Sequence, residues 1–170
     1  GLIVILILVL LLGNFRGGLI VASVIPLAML FAVSMMNLFG VSANLMSLGA
    51  IDFGLVVDGS VIIVEAILHR LSSKFGGKRL TFAQMNEEVN TAASRIRSSA
   101  AFGEIIILIV YLPILALVGV EGKMFKPMAQ TVSFAILGAL ILSMTYVPMM
   151  SALFLNKQIS TKRTFSDRFI

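Results

Sequence analysis

The chain has 170 residues, of which 59% are hydrophobic and 12% charged, and its mean hydropathy is +1.06. Soluble domains contain about 45–50% apolar and about 25% charged residues, so the composition excludes an ordinary soluble domain and indicates an integral membrane protein. The absence of cysteine excludes disulfides and thiolate metal sites, and the single histidine, His69, excludes a multi-histidine site within the chain.

Five apolar segments are predicted to be membrane-spanning helices, the first of them incomplete. Because spanning takes about 20 residues, the short first segment is interpreted as the end of a cut helix. We therefore expect the chain to be a fragment of a larger membrane protein. Pro26 lies inside the second segment and is expected to kink it, which membrane helices tolerate. The segments cover approximately residues 1–12, 19–39, 44–67, 100–119 and 128–155.

The predicted fold class is an all-α integral membrane bundle of about five transmembrane helices. We divide the chain into spans at 1–67, a cytoplasmic connection at 68–99, spans at 100–155 and a basic cytoplasmic tail at 156–170. Residues 120–127 are predicted to form the turn between the last two spans. Within the connection, Thr81 and Gln84 have the spacing of a helix capping box. Apolar residues at helical spacing follow, which predicts an amphipathic helix that lies on the membrane surface or leads into the next span.

The positive charges predict the orientation of the bundle. Connections on one side hold 11 of the 13 Lys and Arg residues, and the other side holds only Lys123 and Lys126. Because cytoplasmic loops of membrane proteins are enriched in Lys and Arg, the first side is predicted to be cytoplasmic. The formal net charge of +5 follows from this bias, and nucleic-acid binding is not expected.

Three carboxylates in the third segment are the candidate functional residues: Asp52, Asp58 and Glu65. A charge near the bilayer centre costs about 2.5–3.5 kcal/mol on insertion scales and usually marks an ion or proton pathway. At about 100° per residue, Asp58 and Glu65 lie within about 20° of each other, whereas Asp52 lies about 120° round from Asp58. We interpret the three acids as a proton relay, against the alternatives of structural ion pairs or, for Glu65, an acid at the interface beside Arg70.

Glu104 is a second acid within a predicted span, near its cytoplasmic end. It is a candidate additional relay residue, and the alternative is a structural pairing with Arg97, seven residues earlier. The ten methionines permit a soft-metal hypothesis, because thioethers favour Cu(I), but methionine is also an ordinary packing residue in membrane helices. The metal ligands stay unassigned.

The stretch DFGLVVDGSVIIVE at 52–65 resembles the fourth transmembrane helix of resistance-nodulation-division permeases, in their heavy-metal efflux branch. The stretches NLMSLG at 44–49, YLPI at 111–114 and GVEGKMF at 119–125 agree with it. The resemblance covers essentially the whole chain, as transmembrane helices two, which is cut, to six. It implies a proton/metal-cation antiporter of the bacterial inner membrane, not an enzyme, that needs no cofactor beyond the proton motive force.

Further expectations come from the same resemblance. It implies a homotrimer that joins a periplasmic adaptor and an outer-membrane channel, and it matches Asp52, Asp58 and Glu65 to the proton-translocating acids. The copper/silver type carries methionines where this chain has Val56 and Ile63, and it lacks an acid at the position of Asp52. The chain is therefore more similar to the cobalt–zinc–cadmium type, which exports divalent cations. The family's cationic partner for these acids and its periplasmic metal-binding domains lie outside this chain.

Three other functions are alternatives to metal-cation export. A resistance-nodulation-division exporter of organic compounds would use the same relay. An intramembrane aspartyl protease places its two aspartates on separate helices, whereas Asp52 and Asp58 share one. A non-transporting scaffold would use the acids only for helix association.

Overall fold

The computed structural model describes residues 2–41, 53–75 and 80–155. Five helices are found in these ranges: α1 (Leu2–Leu12), α2 (Phe15–Leu38), α3 (Phe53–Phe75), α4 (Phe82–Leu115) and α5 (Gly119–Phe154). The predicted all-α membrane bundle is confirmed. Three of the helices, α2, α4 and α5, are long and apolar enough to cross a membrane.

A tight corner joins α1 to α2. Gly13 has a φ of 59°, in the left-handed region that glycine adopts without a steric penalty. The side chain of Asn14 then accepts hydrogen bonds from the backbone N–H groups of Arg16 and Gly17, at 3.1 and 3.3 Å, and so caps α2. Helix α2 therefore begins at Phe15, four residues before the predicted start of the second segment.

Helices α2 and α5 form the central pair of the bundle. Ser23 and Tyr146 share a hydrogen bond of 2.9 Å between their hydroxyl groups. A side-chain carbon built at Gly138 would lie only 2.6 Å from Cδ1 of Phe31, so the two helices approach closely because this position has no side chain. Pro26 lies inside α2, as predicted.

Helix α4 is continuous from Phe82 to Leu115, so the amphipathic segment and the fourth span are one helix. The backbone N–H of Thr81 donates to Gln84 Oε1 at 3.1 Å, consistent with the predicted capping interaction. Met85, Val89 and Ala93 are buried in the main apolar core together with residues of α3. This face therefore packs against protein rather than on a membrane surface, and the segment leads directly into the next span.

Helix α5 begins at Gly119, so the predicted turn over residues 120–127 is wrong. The chain reverses earlier, where Gly119 has a φ of 78°. Pro127 lies within the helix, and its carbonyl accepts a hydrogen bond of 2.8 Å from the hydroxyl of Thr131. The predicted basic tail, residues 156–170, lies outside the described residues. The division of the chain into membrane and cytoplasmic parts stays a prediction.

Candidate functional site

Helix α3 carries two of the three predicted relay acids, Asp58 and Glu65. The third, Asp52, lies outside the described residues, directly before the first residue of α3. Asp58 and Glu65 are both exposed in this chain. They belong to a single stripe of exposed residues at helical spacing, which Ile62 and His69 complete. The structure therefore places Asp58 and Glu65 on one face of the helix, where the angular argument put them.

The opposite face of α3 is packed into the bundle. Val56, Ile63, Val64 and Ile67 are each no more than 1% exposed. Val56 contacts a second, smaller core of alanines from α2 and α5, whereas the other three belong to the main core. The acids are thus carried on a helix whose other sides are fixed by apolar contacts, which holds the stripe in one orientation.

Glu104 on α4 lies in the interior of the bundle and is only 2% exposed. Its carboxyl group packs directly on Gly59 of α3, so closely that a side-chain carbon built at Gly59 would overlap Glu104 Oε1. Ser143 of α5 is part of the same junction, because its hydroxyl would lie 3.4 Å from that carbon. Asp58 precedes Gly59 in α3 and is close enough to act electrostatically on Glu104.

The suggested pairing of Glu104 with Arg97 is wrong in this structure. Within the described ranges, neither carboxyl oxygen of Glu104 has a hydrogen-bond partner. Arg97 is exposed. The two residues are seven positions apart on one helix, which brings them near the same face. The register of α4 against α3, however, turns Glu104 towards Gly59 and leaves Arg97 outside the bundle.

Glu65 lines an open groove between α3 and α4, with a cavity volume of about 480 Å³. His69, Arg70 and Arg95 line the same groove. Arg70 does not serve as the partner of Glu65 that one alternative proposed, because its Nε donates to Glu88 Oε2 at 2.7 Å. The groove gives Glu65 a basic, accessible environment along the C-terminal half of α3.

Glu88 on α4 forms a double ion pair with Arg70 and Lys74 of α3. The hydrogen bond from Lys74 lowers the pKa of the Glu88 carboxyl below its ordinary value, with a further contribution from Arg70 and in opposition to partial burial. This cluster was not predicted from the sequence. Its signature was present, because Arg70 and Lys74 lie four residues apart on one helical face, and Glu88 lies beside the buried Val89.

Among the residues that the structure describes, no group of three or more His, Asp or Glu side chains could hold a metal ion. No metal ligands are assigned.

A bundle of long apolar helices that carries carboxylates within its apolar segments defines this chain as a helical membrane protein. The chain belongs to the AcrB/AcrD/AcrF family, whose family model matches residues 1–170. The sequence-based identification as a resistance-nodulation-division permease of the heavy-metal efflux branch is confirmed by this match and by the similarity to heavy-metal resistance proteins and to a heavy-metal efflux pump.

Two curated relatives carry names that refer to heavy-metal resistance. The chain is 53% identical to the cobalt-zinc-cadmium resistance protein CzcA of Cupriavidus metallidurans over 162 residues, which is 94% of this chain and 15% of CzcA. It is 46% identical to the nickel-cobalt-cadmium resistance protein NccA of Alcaligenes xylosoxydans xylosoxydans, over 94% of this chain and 15% of NccA.

A crystal structure described as that of a heavy metal efflux pump has a similar fold. The TM-score is 0.73 at 37% sequence identity, and the similarity covers 89% of this chain and 14% of the pump. The chain thus spans about one-seventh of the length of the relatives it matches.

Proposed function

We propose that this chain is the proton-relay portion of a proton-driven exporter of divalent heavy-metal cations. Asp52, Asp58 and Glu65 would carry protons along α3, with Asp58 as the central carrier. The observation that carries the proposal is the exposed stripe of α3, where two carboxylates lie on one face of a helix that is otherwise fixed by an apolar core.

The stripe is suited to a relay for physical reasons. A carboxyl group can exist with or without a proton, and its protonation changes the charge that the helix presents to its surroundings. Asp58 and Glu65 are separated by about 10 Å along the axis, so they act as successive positions rather than as one site. From the resemblance, we expect the stripe to face a cation on a later helix of the complete transporter.

Two positions on α3 favour divalent cations over Cu(I) and Ag(I) as the substrate. Val56 and Ile63 occupy the positions where the copper/silver type is expected to carry methionines, and both are fully packed in the apolar cores. Aliphatic side chains offer no soft ligand for a monovalent metal. The name of CzcA, which refers to cobalt, zinc and cadmium, supports the same substrate class.

We also propose the membrane orientation and the assembly that the family resemblance implies. Arg16 Nη1 donates to the carbonyl of Phe154 at 3.2 Å, which joins the start of α2 to the end of α5. Five of the seven Lys and Arg residues in the described ranges belong to that end of the bundle, so it would face the cytoplasm of the bacterial inner membrane: Arg16, Arg70, Lys74, Arg95 and Arg97. The complete transporter would be a homotrimer that works with a periplasmic adaptor and an outer-membrane channel.

The relay is tested by the Asp58→Asn substitution in the complete transporter that contains this chain. Asparagine has nearly the same shape but cannot carry a proton. We expect zinc export into proteoliposomes under an imposed pH gradient to fall by about 100-fold or more, the range that a positioned proton-transfer group contributes. Trimer yield and membrane level should not change.

Glu87→Gln is the matched control, because Glu87 is exposed on α4 outside the apolar segment. It should export zinc at the wild-type rate. Normal proton-coupled export by Asp58→Asn would refute the relay. Resistance to Cu(I) and Ag(I) without resistance to zinc, cobalt or cadmium would refute the divalent assignment, and export of organic compounds alone would favour the drug-exporting alternative.

A further inference from the structure

The proposed relay on α3 does not include Glu104, a buried acid of α4. Glu104 is 2% exposed, lies within the apolar part of α4, and has no hydrogen-bond partner for either carboxyl oxygen among the described residues. An unpaired carboxylate in such surroundings is strongly disfavoured, because burial removes the water that stabilises its charge. Packing alone does not explain an acid here, since a methionine or leucine would fill the same space without this cost.

Among the described residues, Asp58 is the charged group that acts electrostatically on Glu104. Helix α3 contributes Gly59, whose missing side chain makes room for the carboxyl group, and Asp58, which acts on it electrostatically. Helix α5 contributes the uncharged Ser143, whose hydroxyl donates to the carbonyl of Leu140 at 2.9 Å. In the part of the chain that the structure describes, no Lys, Arg or His forms an ion pair with Glu104.

Two carboxyl groups held close together in a medium of low dielectric constant do not both ionise, because the second negative charge is repelled by the first. Such a pair carries one proton and one negative charge, and it titrates as a unit. Glu104 packs on Gly59, the residue after Asp58, and Asp58 acts on it electrostatically, so we expect the two acids to behave as such a pair once the complete transporter covers the exposed side of Asp58.

We propose that Glu104 is a proton-carrying residue of the transporter that shares one proton with Asp58. When Asp58 receives a proton from the relay, Glu104 is the buried group that can take it up, and when Asp58 gives its proton away, Glu104 can return one. One proton moves between two carboxyl groups, and the charge of the pair is unchanged by that step. The inference rests on the proposed relay role of Asp58 and adds a second helix to it.

The test compares Glu104→Gln with wild type in the complete transporter reconstituted in proteoliposomes. Zinc is the transported probe, an imposed pH gradient drives export, and a pH-sensitive dye reports proton flux. We expect both zinc and proton flux to fall by about 100-fold, as for removal of a positioned proton-transfer group. Glu104→Asp, which keeps a titratable group, should recover part of the rate.

Infrared spectroscopy separates proton sharing from a structural role. Wild-type protein at neutral pH should show the C=O stretch of a protonated carboxyl group, and this band should be lost in Glu104→Gln. It should be unchanged in the control Glu87→Gln. Should Glu104→Gln fail to assemble, Glu104→Met replaces it, with similar volume and no polar atom, and is judged by the same two measurements.

The outcomes distinguish this inference from the proposed function. If Asp58→Asn is inactive while Glu104→Gln exports zinc at the wild-type rate, Glu104 carries no proton and the relay on α3 stands. If Glu104→Gln loses export but retains the carboxyl band, its role is structural and the inference is overturned. If Asp58→Asn exports normally, the relay itself is wrong.

Discussion

Adding one methyl group at Gly59 tests the junction of α3 and α4 without changing any titratable group. In the Gly59→Ala variant, the new carbon would overlap Glu104 Oε1 and lie 2.9 Å from the carboxyl carbon and 3.4 Å from the Ser143 hydroxyl. Because the overlapping atom is at the end of a side chain with several rotatable bonds, we expect the Glu104 carboxyl to move rather than the helices to separate.

The expected stability change is small, because two effects oppose each other. Overpacking a well-packed interior typically costs about 1–3 kcal/mol. Replacing glycine by alanine within a helix gains up to about 1 kcal/mol. The variant should therefore be destabilised by about 0–2 kcal/mol, which leaves it folded. Its proton-coupled zinc export should nevertheless fall, because Glu104 no longer lies against α3 beside Asp58.

Gly103→Ala is the matched control. Gly103 precedes Glu104 on α4, and no atom of the described residues lies within 4 Å of a carbon added there. Thermal unfolding in detergent and zinc flux in proteoliposomes should both be as in wild type or slightly better. If Gly59→Ala exports zinc as well as Gly103→Ala does, the position of the Glu104 carboxyl does not matter for transport, and our account of the junction is refuted.

Two further substitutions test contacts elsewhere in the bundle. Glu88→Gln removes the double ion pair with Arg70 and Lys74 and should cost about 1 kcal/mol in thermal unfolding, since both cations are partly exposed to solvent although Glu88 itself is buried. Those cations lower the pKa of Glu88 from 4.5, so the stabilisation by the ion pair is present above pH 4.5 and is lost as the pH falls below it. The wild-type protein should therefore lose its stability advantage over Glu88→Gln at acid pH. A difference in stability that stays constant with pH would contradict this. Gly138→Ala should cost about 1–3 kcal/mol in thermal unfolding, because the added carbon lies 2.6 Å from Phe31 Cδ1. Adding Phe31→Leu to this variant should restore stability. If the stability losses of the two substitutions simply add in the double variant, this contact is not the cause.

The helical bundle could be predicted from sequence because long apolar segments in a membrane must satisfy their own backbone hydrogen bonds. The helix ends were harder to predict. Gly122, Lys123 and Pro127 have the composition of a turn, yet the structure continues α5 through them, and the reversal occurs at Gly119 instead. Local composition indicates where a chain is able to turn, whereas tertiary packing decides which of several such positions does so.

The candidate site likewise has one feature that could be predicted from the sequence and one that could not. The shared face of Asp58 and Glu65 follows from helix periodicity within one segment, and the structure agrees with it. The approach of Glu104 to Gly59 depends on how two helices are aligned along each other, which no periodicity within either helix specifies. The same reasoning wrongly favoured Arg97 as a partner, because it considered only neighbours on the helix that carries Glu104.

Two contacts, Lys74 with Glu88 and Gly59 with Glu104, are consistent with a single antiparallel alignment of α3 and α4. Lys74 lies 15 residues after Gly59 on α3, and Glu88 lies 16 residues before Glu104 on α4. At about 1.5 Å per residue, the two contacts are therefore separated by nearly the same length, about 23 Å, on both helices. If one helix shifted along the other, the ion pair would break and Gly59 would move away from Glu104 at the same time. The ion pair of Glu88 thus helps to hold the buried Glu104 carboxyl next to Gly59, so its removal should weaken the junction as well as the end of the bundle where the ion pair lies.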